Sequence, residues 1–382
     1  MTDVSVVFGL GPAGLFLSRI LSRAGRTVVG VARPDDIGRY SNCIDKLIIS
    51  TEADEILFSL GELALRFPGK MEGQTASDQY LTLILDRRSE FERVLSFGSP
   101  DLDMLEMLND KGTAYSLLKQ TGIPSPAKTY LDTVDSCDCV GYPVVIKPRA
   151  KHLGKTSGVV EKVAVIKNEA ELKEIVAELE RIGENPSDFT CEEMIPGDNF
   201  FEIGYGGYAE KGHMKVDIVV RQIKQYPQGV ACAAVEVADG ETAEKVRSCV
   251  APLLLELGYT GFIQFDIKER PETGELYVLD VNPRVWGSVG ILARKFEHLD
   301  RLFGNGDEPP LKRDELIYWH SPLKELLAKN GSNPVRLPPP QKHERYKRVL
   351  DLYDGRDPAP FLSQLKVGAR KLALRGRTRR QS

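Results

Sequence analysis

The sequence predicts a multidomain protein of mixed α/β and α+β class. The chain opens with a strand, a glycine-rich turn, a helix and a second strand, which is the order of a parallel sheet. From about residue 189 onward, short strands separated by turn residues are typical of antiparallel hairpins. The 382 residues are enough for two or three domains with their own cores.

The opening unit is a βαβ motif with the pattern G-x-G-x-x-G. Strands are predicted at Ser5–Gly9 and Thr27–Ala32, and a helix at Leu15–Arg23. The glycines of Gly9–Gly14 would let a phosphate approach the helix N-terminus, but a tight strand–helix turn alone also requires them. Asp36 follows the second strand and could bind a ribose hydroxyl. Binding of NAD or FAD is therefore one alternative, although the following sequence does not continue as a nicotinamide-binding domain.

A second group of elements leads to a domain boundary near residue 100. A strand is predicted at Lys46–Ile49 and an amphipathic helix at Glu52–Arg66. Helical patterns then cover residues 79–97 and, beyond the helix-breaking Pro100, residues 101–120.

The middle of the chain places a lysine directly before a polar loop. Tyr142–Pro148 is predicted to be a buried strand that carries Lys147 at its end. Arg149–Gly158 is rich in Gly, Ser, Thr and Lys, which suits a loop that closes over phosphates. A strand is predicted at Val159–Val165, and Asn168 begins the next helix as its N-cap.

Further strands and one helix complete this region. The predicted strands cover residues 189–195, 201–208, 215–223 and 231–237, and the helix covers Glu241–Leu257. Thr260–Lys268 and Leu276–Val281 then form a hairpin around a Pro-Glu-Thr-Gly turn.

The hairpin ends in a polar cluster that indicates nucleotide chemistry. Asp280, Asn282 and Arg284 are each two residues apart, so they share one face if the strand geometry continues. Asp266 lies on the neighbouring strand and could reach the same cation. Oxygen ligands suit Mg²⁺, and a guanidinium suits a phosphate. A strand end with a polar turn is the simpler alternative.

Composition narrows the function classes. The net charge of -4 argues against nucleic acid, and no apolar run approaches membrane length. Six cysteines without zinc-ligand spacing predict reduced, mostly buried thiols and a cytoplasmic protein. No Ser-His-Asp or Cys-His spacing supports a hydrolase. Prolines mark irregular structure beyond residue 300, with one or two helices at Leu311–Ala328 and a basic tail after Lys366 that is a solvated terminus or a phosphate- or membrane-seeking segment.

The ordered motifs resemble those of the ATP-grasp superfamily of carboxylate–amine ligases. The resemblance covers roughly residues 100–300, and its parts stand in the family order: Asp110-Lys111, Tyr142–Pro148, Cys191–Gly197, Phe265–Ile267 and Leu279–Arg284. Within the superfamily, the segments Leu17–Gly25, Arg39–Ser41 and Asn282–Ser288 look most similar to D-aspartate ligases and amino-acid or peptide ligases.

The resemblance implies a domain layout. Residues 1–100 would form a Rossmann-like N-terminal domain, and residues 101–300 a two-lobed ATP-grasp domain. The small lobe would cover about residues 110–195 and the large lobe about residues 196–300. Residues 301–382 would be a C-terminal appendage.

The resemblance also implies roles for individual residues. Lys111 and Lys147 would contact the ATP phosphates. One or two Mg²⁺ ions, for which Mn²⁺ can substitute, would be held by Asp266, Asp280 and Asn282. Arg284 would act with Lys147 in catalysis, stabilising the transferring phosphoryl group or the acyl phosphate.

The remaining roles concern the nucleoside and the acceptor. Adenine would be read by the Glu192 carboxylate and by backbone groups of Glu193 and Ile195, with a shift by one residue left open. Either Asp198 or Glu202 would bind the ribose. Other expected contacts are Arg221 with the phosphates and Trp286–Ser288 with the acceptor pocket.

The implied activity is ADP-forming ligation of a small carboxylate to an amine through an acyl phosphate. Alternatives are transfer to a thiol, a carbamate-type reaction, a non-catalytic ATP-binding module and an NAD(P)-binding oxidoreductase. The expected partners are small molecules, with no nucleic acid and no stable membrane insertion, and a homodimer is compatible with the family.

Overall fold

A computed structural model describes most of the chain, in several ranges. These are residues 3–67, 71–131, 137, 140–149, 159–160, 163–226, 231–237, 240–303, 308–312, 315–327 and 346–367. The predicted loop Arg149–Gly158 lies outside them except for Arg149, and so does the basic tail beyond Val367.

The N-terminal residues form a five-stranded parallel sheet. Its strands are β1 (Val4–Phe8), β2 (Thr27–Ala32), β3 (Lys46–Ile49), β4 (Met71–Thr75) and β5 (Leu95–Ser96), in the order β3-β2-β1-β4-β5. The helices are α1 (Pro12–Arg23), α2 (Ala53–Ala64), α3 (Asp78–Asp86) and α4 (Arg88–Val94). All five residues of β1 are buried, as expected of a central parallel strand.

A small antiparallel sheet follows two short helices. The helices are α5 (Leu102–Asn109) and α6 (Lys111–Gln120), and the strands are β6 (Lys128–Tyr130), β7 (Val144–Pro148), β8 (Ala164–Ile166) and β9 (Phe189–Glu193). The strand order is β6-β9-β7-β8. The helix α7 (Glu169–Arg181) packs Leu172 and Leu179 against Ile146 and Phe189. As predicted, Asn168 caps α7, whereas β8 is shorter than the predicted strand.

The largest sheet has seven strands. They are β10 (Glu202–Glu210), β11 (His213–Gln225), β12 (Ala231–Glu236), β13 (Gly261–Glu269), β14 (Leu276–Asn282), β15 (Ile317–His320) and β16 (Lys347–Leu350), in the order β14-β13-β10-β11-β12-β15-β16. Only the pair β15–β16 is parallel. The helix α8 (Gly240–Leu257) buries Val246, Val250 and Leu253 in the core beside this sheet.

The segment Leu311–Ala328, predicted to offer one or two helices, contains one described helix, α10 (Pro322–Leu327). The short helix α9 (Leu292–Lys295) precedes residue 300. The rest of the segment is not helical where it is described: Leu311 forms an isolated bridge with Phe296, and burial alternates along β15, with Ile317 and Trp319 buried.

The structure also tests what was predicted for the cysteines and for membrane-spanning helices. The prediction of reduced thiols is wrong for Cys137 and Cys191, which form a disulfide with their Cα atoms 6.0 Å apart. Among the other cysteines of the described ranges, Cys232 is buried, whereas Cys43 and Cys249 are half-buried. In the same ranges, no helix combines the length and the apolar character needed to cross a membrane.

Candidate active site

A cavity of about 300 Å³ lies between the small sheet and one end of the large sheet. It is lined by most of the residues selected from the sequence. These are Lys111, Lys147, Glu192, Glu193, Ile195, Glu202, Asp266 and Asp280. Residues that are up to 169 positions apart in the chain are thus brought to one cavity.

The wall on the small sheet contains a buried cluster of opposite charges. Lys147 Nζ lies 2.6 Å from Glu192 Oε2, and Lys128 Nζ lies 3.3 Å from Glu192 Oε1. Burial opposes the charge of the carboxylate, but Lys147 and Lys128 lower the pKa of Glu192 to about 2. Burial also opposes the charge of Lys147, and the Glu192 carboxylate raises its pKa. Both partners therefore remain charged at neutral pH.

Lys111 reaches the same cavity from the first turn of α6. Asp110 caps this helix by accepting a hydrogen bond of 2.8 Å from the Thr113 amide. The Lys111 ammonium donates to the Pro148 carbonyl at 2.9 Å, at the end of β7. This contact fixes Lys111 beside the strand that carries Lys147.

The opposite wall carries the predicted metal ligands. In the β13–β14 ladder, Asp266 stands opposite Asp280, and Gln264 opposite Asn282. The Asn282 amide nitrogen donates to Gln264 at 2.7 Å and to Asp266 at 3.4 Å, which orients its amide. Two carboxylates and an amide on neighbouring strands form an oxygen donor set of the kind that suits Mg²⁺.

Few protein side chains are available to hold a cation at this position. Within the described ranges, no three or more His, Cys, Asp or Glu side chains come together as a metal site. A cation at Asp266 and Asp280 would therefore take further ligands from Asn282, water or a bound phosphate, as Mg²⁺ commonly does.

Arg284 lies just beyond β14 and joins two sheets. Its Nε and Nη2 donate to the two carboxylate oxygens of Asp78 at 2.6 and 2.7 Å, and its Nη1 donates to the Val285 carbonyl. Asp78 begins α3 of the N-terminal unit. The bidentate pair holds the guanidinium rigidly, and its role toward a phosphoryl group stays a prediction.

The segment after β9 lines the cavity where a base was predicted to bind. The Glu193 amide donates to the Ala127 carbonyl at 2.8 Å, and its carboxylate pairs with Arg270 at 2.6 Å. The sheet therefore already uses the Glu193 amide, and the expected contact of a purine with backbone groups of Glu193 and Ile195 stays a prediction. Met194 and Ile195 line the cavity beyond it, consistent with a shift by one residue.

The structure separates the two candidate ribose ligands. Glu202 lines the cavity and lies 3.4 Å from the Lys268 ammonium. Asp198 is exposed, caps a short 3₁₀ turn through the Phe200 amide, and does not line the cavity.

Arg221 also lies apart from the cavity. It pairs with Glu269 at 2.6 Å and packs on the Phe200 ring. The expectation that Arg221 faces the phosphates stays a prediction, because in this structure its side chain is held in this ion pair and does not line the cavity.

The glycine-rich turn of the N-terminal unit is filled by the protein itself. The Asp36 carboxylate accepts from the Leu10 amide at 3.0 Å, and the Gly38 amide donates to the Leu10 carbonyl at 2.7 Å. Asp36 is 5% exposed, so it supports the turn and is not presented to a ribose. A Cβ on Gly14 would lie 1.8 Å from the Gly9 carbonyl oxygen, so the turn itself requires that glycine.

Two lysines near the site were not predicted from the sequence. Lys128 pairs with Glu192, and Lys268 is 7% exposed beside Glu202. A signal for Lys268 was present, because it follows Asp266 by two positions on a predicted strand and so shares its face. Lys128 had no comparable signal, since its position opposite Glu192 depends on the pairing of β6 with β9.

A smaller cavity of about 170 Å³ adjoins the metal-ligand wall. It shares Gln222 and Asp266 with the larger cavity, and Trp286, Gly287 and Ser288 line it. The sequence placed these last three residues at the acceptor pocket, and their position beside Asp266 fits that expectation. We call this space the inner cavity.

The chain is similar in sequence to parts of larger proteins. No protein-family model matches it. The carbamoyl phosphate synthase large chain of Methanosarcina barkeri is 24% identical over 294 residues, which cover 69% of this chain and 25% of that protein. The C-terminal section of the Methanopyrus kandleri large chain is 25% identical over 231 residues, or 58% of this chain and 40% of that protein. The chain thus matches a quarter to two fifths of the length of these relatives.

Solved structures share the fold at low sequence identity. An ADP complex of N5-carboxyaminoimidazole ribonucleotide synthetase has a TM-score of 0.63 at 14% identity, covering 83% of this chain and 81% of its own. The biotin carboxylase domain of Hydrogenobacter thermophilus 2-oxoglutarate carboxylase was solved with MgADP, ADP and bicarbonate. It has a TM-score of 0.61 at 17% sequence identity, and the match covers 80% of this chain and 70% of that domain chain. An L-amino acid ligase from Bacillus licheniformis has a TM-score of 0.60 at 16% sequence identity, and the match covers 81% of this chain and 75% of that chain.

These similarities define the class of protein. In sequence the chain is similar to carbamoyl phosphate synthase large chains, and in fold it is similar to N5-carboxyaminoimidazole ribonucleotide synthetase and L-amino acid ligase.

Proposed function

We propose that this chain is an ATP- and Mg²⁺-dependent, ADP-forming ligase that activates a carboxylate as an acyl phosphate and joins it to an amine. The observation that carries the proposal is the cavity in which the lysines of the small sheet face the opposed pair Asp266 and Asp280. ADP in one structural neighbour and MgADP in another support this use of the cavity.

The charges of the site suit phosphoryl transfer. Lys111 and Lys147 bind the ATP phosphates, while Asp266, Asp280 and Asn282 hold Mg²⁺, which neutralises phosphate charge. The substrate carboxylate takes the γ-phosphoryl group and ADP leaves. The amine nitrogen then attacks the carbonyl carbon, the bond from carbon to the phosphate oxygen breaks, and phosphate and a proton are released.

The nucleoside occupies the rest of the large cavity in this proposal. Met194 and Ile195 contact the adenine through the backbone, and Glu202 binds the ribose, because it lines the cavity and Asp198 does not. Glu192 holds Lys147 and Lys128 in position, and it does not need to contact the base.

The finer layout is part of the same proposal. The parallel sheet corresponds to a Rossmann-like domain, and the small and large sheets to the two lobes of an ATP-grasp domain. An amino-acid or peptide-like substrate, a cytoplasmic location and a homodimer are also proposed.

Two alternatives are less well supported. Binding of NAD(P) in the glycine-rich turn is less well supported because the Leu10 backbone there is already hydrogen-bonded within the protein. Its amide donates to the Asp36 carboxylate, and its carbonyl accepts from the Gly38 amide. A non-catalytic ATP-binding module is opposed by the presence of both carboxylates and Asn282 at the cation position.

The experiment is a screen for ADP release over pairs of amino acids and small carboxylates, with mass spectrometry of the product. Asp280→Asn is expected to lower ADP release by on the order of 100-fold, about 3 kcal/mol in the barrier. Asp103→Asn, on an exposed surface pair with Arg88, is the control and leaves the rate unchanged. Tight ATP binding without turnover on any pair would instead support the binding module.

A further inference from the structure

The inner cavity contains a buried carboxylate that the phosphoryl-transfer chemistry does not use. Three charged side chains line this cavity: Asp266, Lys324 and Asp351. Asp266 belongs to the metal-ligand wall. Asp351 follows β16, and its amide donates to the His320 carbonyl at 2.9 Å, which anchors it beside β15.

Asp351 is a desolvated anion in contact with the cavity. It is 5% exposed, and burial raises its pKa to about 6 although the charge of Lys324, hydrogen bonds from Ser321 and the Leu352 backbone, and the charge of Arg19 favour its ionised form. A buried carboxylate is stabilised by a cation that reaches it. A ligand with an ammonium group would supply that cation.

The position of Asp351 connects the metal-ligand wall to the outside of the protein. Asp351, Trp319, Pro12 and Gly287 line both the inner cavity and a larger cavity of about 330 Å³, which we call the outer cavity. A ligand bound at Asp351 is therefore in the inner cavity, which contains Asp266, and also borders the outer cavity. This arrangement suits an amine that enters from the outer cavity and presents its nitrogen inward.

We propose that the inner cavity is the amine site and that Asp351 binds the ammonium group of the entering amine substrate, which releases one proton to solvent before its nitrogen moves on to attack the acyl carbon. The inference rests on the proposed ligase function and assigns its second substrate to the class of small primary amines. Lys324, in the same cavity, disfavours a cation and so sets how strongly the amine binds.

Intrinsic fluorescence can report on this cavity directly. The chain has two tryptophans, and both of them, Trp286 and Trp319, line the inner cavity. The experiment is a titration of tryptophan emission in the MgADP-bound protein with glycinamide, and with acetamide as the matched probe without an amino group. Glycinamide is expected to change the emission with saturation, whereas acetamide is not.

Three variants test the assignment. Asp351→Asn is expected to weaken glycinamide binding by on the order of 10- to 100-fold, because it keeps the shape of the side chain and removes the charge. Lys324→Gln is expected to strengthen it several-fold through reduced repulsion. Asp300→Asn, in the outer cavity only, leaves the affinity unchanged.

The outcomes separate this inference from the proposed function. Equal glycinamide binding by the protein and by Asp351→Asn would overturn the inference, and so would an acetamide response as large as that of glycinamide. Since emission is read without turnover, a missing ligase activity would overturn the proposed function alone.

Discussion

At the residue scale, buried charges decide what this protein can bind. Glu192 is compensated by Lys147 and Lys128, and Lys147 also lines the proposed nucleotide cavity. Asp351 has no comparable ion pair within 4.0 Å among the described residues. Compensated charges stabilise the fold, whereas a poorly compensated one costs folding energy and favours a ligand of opposite sign.

Asp351 is expected to make stability depend on pH. Its pKa rises from 3.8 to about 6 on folding, so both states are protonated below pH 3.8. Between these values the unfolded chain loses the proton first, and stability therefore falls as the pH rises, by up to about 3 kcal/mol. Asp351→Asn should raise the thermal midpoint at pH 7.5, and the gain should shrink toward pH 4. An equal gain at both pH values would contradict this.

Asp357 is expected to be a major stabilising residue. It is 1% exposed, and its carboxylate accepts from Arg19 at 2.8 Å and from the Ser41 hydroxyl at 2.7 Å. Asp357→Ala leaves Arg19 buried without this partner and should cost about 3–5 kcal/mol. Asp354→Ala breaks the more exposed pair with Arg23 and should cost about 1 kcal/mol or less. Thermal unfolding measures both, and equal losses would show that burial is not the cause.

At the scale of elements, the register of one hairpin builds the cation site. The pairing of β13 with β14 puts Asp266 opposite Asp280, so a shift of one residue would turn Asp280 to the other face. The Pro271-to-Gly274 turn closes this hairpin, with Gly274 at φ 67°. Local sequence thus sets the geometry of the two metal carboxylates.

The β1–α1 turn is expected to tolerate change at one glycine and not at another. A Cβ at position 14 would lie 1.8 Å from a backbone oxygen, whereas at Gly11 nothing lies within 4 Å. Gly14→Ala should destabilise the protein by roughly 1–3 kcal/mol or more, because backbone must move. Gly11→Ala should change stability by less than about 0.5 kcal/mol. Thermal unfolding of the two variants checks this, and equal midpoints would contradict the close approach.

At the scale of the whole molecule, the C-terminal residues connect units that are distant in sequence. β15 and β16 extend the large sheet, and the segment after β16 binds α1 through Arg19 and Arg23. Separately, the ion pair of Arg284 with Asp78 connects the end of β14 in the large sheet to the N-terminal unit. The inner and outer cavities lie where these units meet.

Removal of residues 346–382 is expected to lower the stability of the protein and to leave nucleotide binding nearly unchanged. The truncated chain loses β16, Asp351 and the partners of Arg19, and its thermal midpoint should fall by several degrees. None of the described residues of this segment, 346–367, lines the cavity at Lys147 and Asp280, so the dissociation constant for MgADP should change by less than about 3-fold, below 1 kcal/mol. Loss of MgADP binding in a folded truncated chain would contradict this division.

The sequence by itself determined the strands, the hairpin and the motif residues that line the large cavity. Alternation along β13 and β14 is a local property, so Asp266, Asp280 and Asn282 could be selected without coordinates. Most of the predicted elements, including Thr27–Ala32 and Lys46–Ile49, have the predicted bounds or differ by a few residues.

Only the tertiary structure decided which charges meet. The partners Lys128 with Glu192, Arg284 with Asp78 and Arg19 with Asp357 are 64, 206 and 338 positions apart. Such pairs depend on strand order and on the packing of whole sheets, which the local periodicity of a sequence does not reveal. For the same reason Asp351 carried no signal in the sequence, because its burial in the wall of the inner cavity arises only when β16 joins the sheet.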